Sequence, residues 1–131
     1  MTRYMLDTNT VSYLMRGHNA VGKAVFSKDY DDLCISSMTE AELLYGLSRR
    51  PEATRRAQTV HEFLDRIESL PWARKEAVCY GRLRADMERS GKNLQPTDMF
   101  IAAHAFSIGA VLVTSDLAFR HVPGLEVEDW R

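Results

Sequence analysis

RYMLDTNT, residues 3–10, carries an apolar run straight into a carboxylate, Asp7, and then into three small polar residues. VSYLMRG follows with apolar residues at helical spacing before Gly17. A short apolar run ending in polar groups fits a buried strand whose carboxyl end is solvated, and the change of period predicts a helix immediately behind it. A strand, a polar turn and a helix within fifteen or so residues is the opening of an α/β chain.

The same alternation continues. LCISSMT at 33–39 reads as a second strand, with Thr39 as the cap of a helix bearing Leu43, Leu44 and Leu47. Pro51 interrupts that helix. Ala53 to Leu70 then carries Ala57, Val60, Phe63, Leu64 and Ile67 at i, i+3, i+4 spacing, which predicts one long amphipathic helix up to Pro71. A further helix is expected over Arg74–Arg89, closed by Ser90-Gly91, with SGKNLQP as a loop. Thr97 is placed to cap a helix from Asp98 to about Ile108 that is apolar almost all round and therefore buried. Gly109 stops it, AVLVTSD at 110–116 is the clearest strand, LAFRHV fits a short helix, and LEVEDW fits a last strand. Strands separated by helices imply an α/β domain with a mainly parallel sheet and right-handed crossovers. No repeat or linker divides the 131 residues, so one domain over 1–131 is expected.

With 45% hydrophobic residues the chain can bury a substantial core. No secretory signal is visible and no apolar run approaches the roughly 20 residues that span a bilayer, so no membrane association and a cytoplasmic location are expected. Cys34 and Cys79 lack CxxC spacing and read as reduced thiols. The net charge of −1 gives no overall attraction to a polyanion, but it is unevenly spread. Arg49 to Lys92 holds 11 Lys/Arg against 7 Asp/Glu, and the remainder is acidic. A solvated face of mixed charge explains such an imbalance as readily as a nucleic-acid surface does.

Four carboxylates are placed to meet. In parallel sheets, sites form at the carboxyl ends of the strands, and Asp7 and Asp116 each end a strand there. Glu42 lies early in the helix after the second strand, and Asp98 starts the helix that feeds the strand ending in Asp116. Glu40 is two residues from Glu42 and so points to another helix face. Gathered carboxylates repel unless a cation intervenes, and hard oxygen ligands select Mg²⁺ or Mn²⁺. Each acid also has an ordinary use: Asp98 as a first-turn acid favoured by the helix dipole, Asp7 and Asp116 as turn residues, Glu42 as a solvated surface group.

MLDTN at 5–9, SSMTEAELLYG at 36–46, LQPTDMFIAAHA at 94–105 and VLVTSD at 111–116 together resemble the motif series of PIN-domain ribonucleases, and closely that of the VapC toxins of bacterial toxin-antitoxin pairs. The likeness runs to the closing VEDW at 127–130. It implies a PIN-like three-layer α/β/α domain with a mainly parallel central sheet. It assigns the catalytic and metal-binding quartet to Asp7, Glu42, Asp98 and Asp116, Glu42 being the acid four residues before Gly46, and gives Asn9 and Thr114 supporting hydrogen-bonding roles. Asp116 stands at the position that varies most among similar toxins. The implied chemistry is Mg²⁺- or Mn²⁺-dependent hydrolysis of RNA phosphodiesters, leaving 5'-phosphate and 3'-hydroxyl ends, with transfer RNA the commonest target of related toxins. A VapB-type antitoxin whose C-terminal segment covers the acidic groove, and a homodimer, are implied partners. Tyr13, Leu14, Leu44, Tyr45 and Leu47 are candidates for lining that groove, although core packing explains most of them equally.

Arg82, Arg84, Arg89 and Lys92, near the loop before Asp98, are the candidate RNA contacts, with ion pairs to Asp86 or Glu88 as the competing use. His104 stands six positions after Asp98 and points away from it, which favours a packing role. The alternative to a nuclease is a degenerate PIN-like domain that binds RNA or protein without cutting. A phosphatase-like α/β enzyme would need a DxD nucleophile pair, and the residue two after Asp7 is Asn9.

Overall fold

The computed structural model describes residues 2–131. Its strands are β1 (Tyr4–Leu6), β2 (Leu33–Ser36), β3 (Glu68–Leu70), β4 (Val111–Val113) and β5 (Val127–Glu128). They form one sheet in the order β3-β2-β1-β4-β5, and every pairing is parallel. The helices are α1 (Thr8–Met15), α2 (Asn19–Phe26), α3 (Ser37–Arg49), α4 (Thr54–Arg66), α5 (Arg74–Arg89) and α6 (Pro96–Ile108), with short 3₁₀ turns at Tyr30–Asp32 and Leu117–His121.

Side chains alternate across a strand, and the two cores follow from that alternation. Met5, Cys34 and Leu112 face α5 and α6, where they join Leu83, Met87, Met99, Ile101 and Phe119. Their neighbours Leu6, Leu33, Ile35 and Val113 face the other way, against Val11, Val21, Val25, Leu43, Val60 and Phe63. The result is the expected three-layer α/β/α arrangement with a parallel sheet buried on both faces. α6 is buried as its composition requires, with Ile101, Ala102, Ala103 and Ala105 inside. It ends where Gly109 turns left-handed (φ +68°), so that the Ala110 amide reaches back to the Ala105 carbonyl.

Several local expectations are corrected. The amphipathic stripe of residues 53–70 is not one helix: α4 stops at Arg66, and Glu68–Leu70 pair with Cys34–Ser36 as an edge strand. Ile67 keeps the helical spacing of the stripe while its backbone is already extended (ψ 142°), so periodicity alone runs past the boundary. Residues 37–39 belong to α3 rather than to β2, because Ser36 takes the cap and its hydroxyl accepts the Met38 amide. α6 starts at Pro96, with proline in its first turn and Gln95 as cap, instead of being capped by Thr97. Strand β4 is limited to Val111–Val113 and β5 to Val127–Glu128. α2 has no counterpart among the elements expected from the sequence.

Candidate active site

The carboxyl ends of β1 and β4 adjoin, and the first turn of α1 is tied across them. The Asp7 amide and the Thr10 hydroxyl both donate to the Val113 carbonyl, at 3.1 and 2.9 Å. Asp7 caps α1 by accepting the Thr10 amide at 2.8 Å, and only 3% of the residue is exposed. Burial pushes its carboxyl pKa upward, the Thr114 hydroxyl and the Thr10 amide pull against that, and Asp116 adds repulsion. Asp116 acts as a cap in the same way at the end of the adjoining strand: it accepts the Ala118 amide at 2.9 Å, and its own amide donates to the Thr114 hydroxyl at 3.1 Å. Thr114 therefore hydrogen-bonds to the carboxylate of Asp7 and to the backbone amide of Asp116.

Glu42 faces this group from α3, where its carboxylate accepts the Thr8 hydroxyl; Thr8 in turn lies 3.4 Å from the Thr39 hydroxyl. Glu40 points elsewhere and accepts the Ser69 hydroxyl at 2.6 Å, beside β3. Asp98 completes the group from the first turn of α6. Burial, followed by repulsion from Asp116, Glu42 and Asp7 in that order, pushes its pKa up to about 6. One acid thus feels the other three, although they come from four segments up to 109 positions apart.

A divalent cation fits the chemistry of this donor set. Asp98 is repelled by three other carboxylates, the hard oxygen donors that Mg²⁺ and Mn²⁺ take, and among the described residues no basic partner balances it. Among the same residues no three His, Cys, Asp or Glu side chains are grouped as a metal-binding cluster.

The remaining candidates separate. Asn9 is exposed, and its side chain makes no hydrogen bond to an acid among the described residues. Arg84 pairs with Glu88 at 3.3 Å and donates to the Tyr80 hydroxyl at 2.8 Å, while Arg89 pairs with Asp86. Lys92 lines a small hollow with Arg84. Arg82 instead borders a largely apolar cleft of about 580 Å³ against Phe106 and Gly124, away from the acids. His104 is 1% exposed and hydrogen-bonds to Ser36 at 2.8 Å, a packing role as expected. Thr8 was missed; its signal was a hydroxyl next to a strand-end acid, at the first position of the helix that acid caps.

The PIN domain family model matches residues 4–125. The chain is 36% identical over 131 residues to the tRNA(fMet)-specific endonuclease VapC of Salmonella typhimurium, with 99% of each chain covered. It is 35% identical to Ribonuclease VapC2 of Haemophilus influenzae at the same coverage. Among solved structures it superposes on a chain of the DNA-bound VapBC complex from Salmonella typhimurium with a TM-score of 0.92, at 35% identity and full coverage of both.

Proposed function

The chain belongs to the PIN domain family, and from that premise we propose that it is a metal-dependent endoribonuclease toxin that hydrolyses RNA phosphodiesters. What supports this reading is that Asp98 is raised to about 6 by burial and by repulsion from Asp116, Glu42 and Asp7, the acids that the family resemblance assigns with it. The relatives' names, an endonuclease specific for tRNA(fMet) and a ribonuclease, support RNA as substrate and transfer RNA as its class.

Asp7, Glu42, Asp98 and Asp116 would hold one or two Mg²⁺ or Mn²⁺ ions. When bound, such an ion lowers the pKa of water and neutralises charge on the phosphate and the departing 3'-oxygen. The chain's own contribution is placement. Asp7 is fixed by the Thr10 amide, Asp116 by the Ala118 amide and Glu42 by the Thr8 hydroxyl, so three carboxylates are oriented before substrate arrives. The Thr114 hydroxyl accepts the Asp116 backbone amide and hydrogen-bonds to the Asp7 carboxylate. The scissile phosphate needs no protein nucleophile, and its negative charge finds Arg84 and Lys92 near the entry to α6.

The whole chain, 1–131, serves as one domain: β5 completes the sheet and Trp130 packs on Tyr4 of β1, with ring centroids 5.3 Å apart. A VapB-type antitoxin is the proposed partner, supported by the VapBC complex that the fold matches. The surface proposed for it is the groove beside the acids flanked by Tyr13, Leu14, Leu44, Tyr45 and Leu47, of which Leu44 and Tyr45 are exposed while Tyr13, Leu14 and Leu47 pack against the core. Homodimerisation and a cytoplasmic location complete the proposal. No helix among the described residues is long and apolar enough to cross a membrane.

The test is incubation of the antitoxin-free protein with total bacterial RNA in Mg²⁺ or EDTA, beside Asp7→Asn and Asp98→Asn. Discrete Mg²⁺-dependent cuts with 5'-phosphate ends, lost in both variants, are expected. Cleavage that persists in EDTA or in both variants would overturn the carboxylate mechanism.

A further inference from the structure

We propose that Trp72, Tyr80 and Phe100, edged by Arg84 and Lys92, form a stacking platform for an unpaired base of the RNA, beside the acidic rim. The inference deepens the nuclease reading and rests on it.

Trp72 follows β3 at the carboxyl edge of the sheet, the edge that carries the acids. Its amide donates to the Ser37 hydroxyl at 3.1 Å, and its indole nitrogen donates to the Phe100 carbonyl at 2.9 Å. The ring is thereby pinned between the first turns of α3 and α6. It meets Phe100 edge-on, with centroids 5.2 Å apart at 82°, and Tyr80 at 6.0 Å and 77°; Tyr80 and Phe100 stack at 4.8 Å and 21°. Phe100 lies two residues beyond Asp98 in α6, about 3 Å further along the axis but on another face of the helix, so it is Trp72, at the carboxyl edge of the sheet, that brings the rings toward the acidic rim. Trp72 and Phe100 belong to neither core cluster, and all three rings remain half-buried at the surface.

Trp72 and Phe100, packed on Tyr80 at the margin of the core, suit a flat ligand, and the charges choose which one. The Arg84 guanidinium lies 5.9 Å from the Tyr80 ring centre and donates to its hydroxyl, which extends the aromatic surface with a second plane on which bases stack. Tyr80 and Arg84 also line a hollow of about 50 Å³ with Lys92, Asn93 and Pro96. That volume is too small for a base and suits phosphate oxygens or a few waters. Glu88 draws on Arg84 at 3.3 Å, while Lys92 makes no ion pair among the described residues. Aromatic faces beside a cationic groove are how single strands are held without sequence reading. A duplex hides its base faces and gains nothing from the rings. The platform accordingly selects an unpaired nucleotide flanking the scissile phosphate.

The experiment measures binding of labelled oligoadenylate, and of a blunt RNA duplex, to the full-length Asp98→Asn protein in EDTA, where no cutting interferes. Oligoadenylate is expected to bind more tightly than duplex. Tyr80→Leu should weaken it about tenfold, whereas Tyr80→Phe should keep it within about twofold. Arg84→Gln, on an exposed side chain that the fold does not need, should weaken binding and reduce its salt dependence by about one phosphate contact. With Trp130→Phe, the emission of Trp72 alone should be quenched saturably by oligoadenylate. Equal affinities across Tyr80→Leu, Arg84→Gln and the parent, or unchanged Trp72 emission, would overturn the proposal. So would loss of self-association in these variants with RNA binding intact, since the face would then belong to a second copy of the chain. Cleavage by the Asp98-intact proteins in Mg²⁺ is scored separately. A parent that does not cut while Trp72 is quenched refutes the nuclease reading and leaves the base site; a parent that cuts with KM unmoved by Tyr80→Leu refutes the platform alone.

Discussion

Glu76 and Asp98 occupy the same place, the third residue of consecutive helices α5 and α6, and their carboxyls are driven in opposite directions. The amino end of a helix favours an anion at both. Burial works against ionised Glu76, but the Ala73 amide at 3.0 Å, the Ser107 hydroxyl at 2.9 Å and nearby His104 outweigh it and hold its pKa below the ordinary value. Burial also works against ionised Asp98, and there the neighbours are three more carboxylates. A buried acid supplied with donors is a structural fastening. A half-buried acid supplied with other acids is a cost in the metal-free protein that a cation at the proposed site would remove.

The largest effect should separate the two in opposite senses. Asp98→Asn should lower Mg²⁺-dependent cleavage more than about a hundredfold, beyond the usual loss for a group that only supports a metal ligand, yet raise the melting temperature in EDTA. If the variant instead melts below the parent, the contrast between the two acids is broken. Glu76→Ala should strand the Ala73 amide and the Ser107 hydroxyl and cost about 1–3 kcal/mol in urea unfolding, with the cleavage rate within about twofold of the parent. Thr8→Val should shift the midpoint of Mg²⁺ activation about tenfold upward through loss of the Glu42 hydrogen bond, and Thr8→Ser should restore it.

The smallest effect is in the pH dependence, and it sharpens the comparison. The folded-state pKa of Asp98 is near 6 against 3.8 for the free group, so its ionisation opposes folding. That penalty is absent where the carboxyl is protonated in both states, grows as pH rises from about 3 to 6, and is constant above. The melting-temperature advantage of Asp98→Asn in EDTA should therefore vanish below about pH 3 and be complete by about pH 7. Glu76 runs the other way. Its pKa is lowered on folding from 4.5, so its stabilisation is present above that value and fades as pH falls through the folded one. The gap between the parent and Glu76→Gln should shrink toward low pH, as measured by thermal melts across the same range.

How far the sequence could be read follows the same division between local and distant causes. α5 is bounded as its pattern required, Arg74 to Arg89, because an amphipathic period and a Ser-Gly stop are properties of adjacent residues. β3 was invisible: three residues make a strand only by pairing with Cys34–Ser36, more than thirty positions away, while Ile67 continued the helical stripe. α2 left too weak a pattern to notice, and the caps of α3 and α6 moved because Ser36 and Pro96 compete with Thr39 and Thr97 within the same few residues. At the proposed site, the rule of parallel sheets is what puts four acids at one edge in the sequence reading; in the structure Glu42 accepts the Thr8 hydroxyl and Glu40 the Ser69 hydroxyl. Thr8 and the aromatic trio escaped notice.

The sequence by itself determined the alternation of strands and helices apart from α2 and β3, the buried character of α6 and which polar groups close its apolar runs. Each is written in the spacing of apolar residues and in the polar groups that close a run, and both act over a few positions. Only the tertiary structure decided that Asp98 is repelled and Glu76 is held, that Arg84 joins Tyr80 while Arg82 turns to another cleft, and that Trp72 meets Phe100. Electrostatic shifts and aromatic contacts depend on distances between side chains far apart along the chain, and those distances come into existence when the sheet assembles.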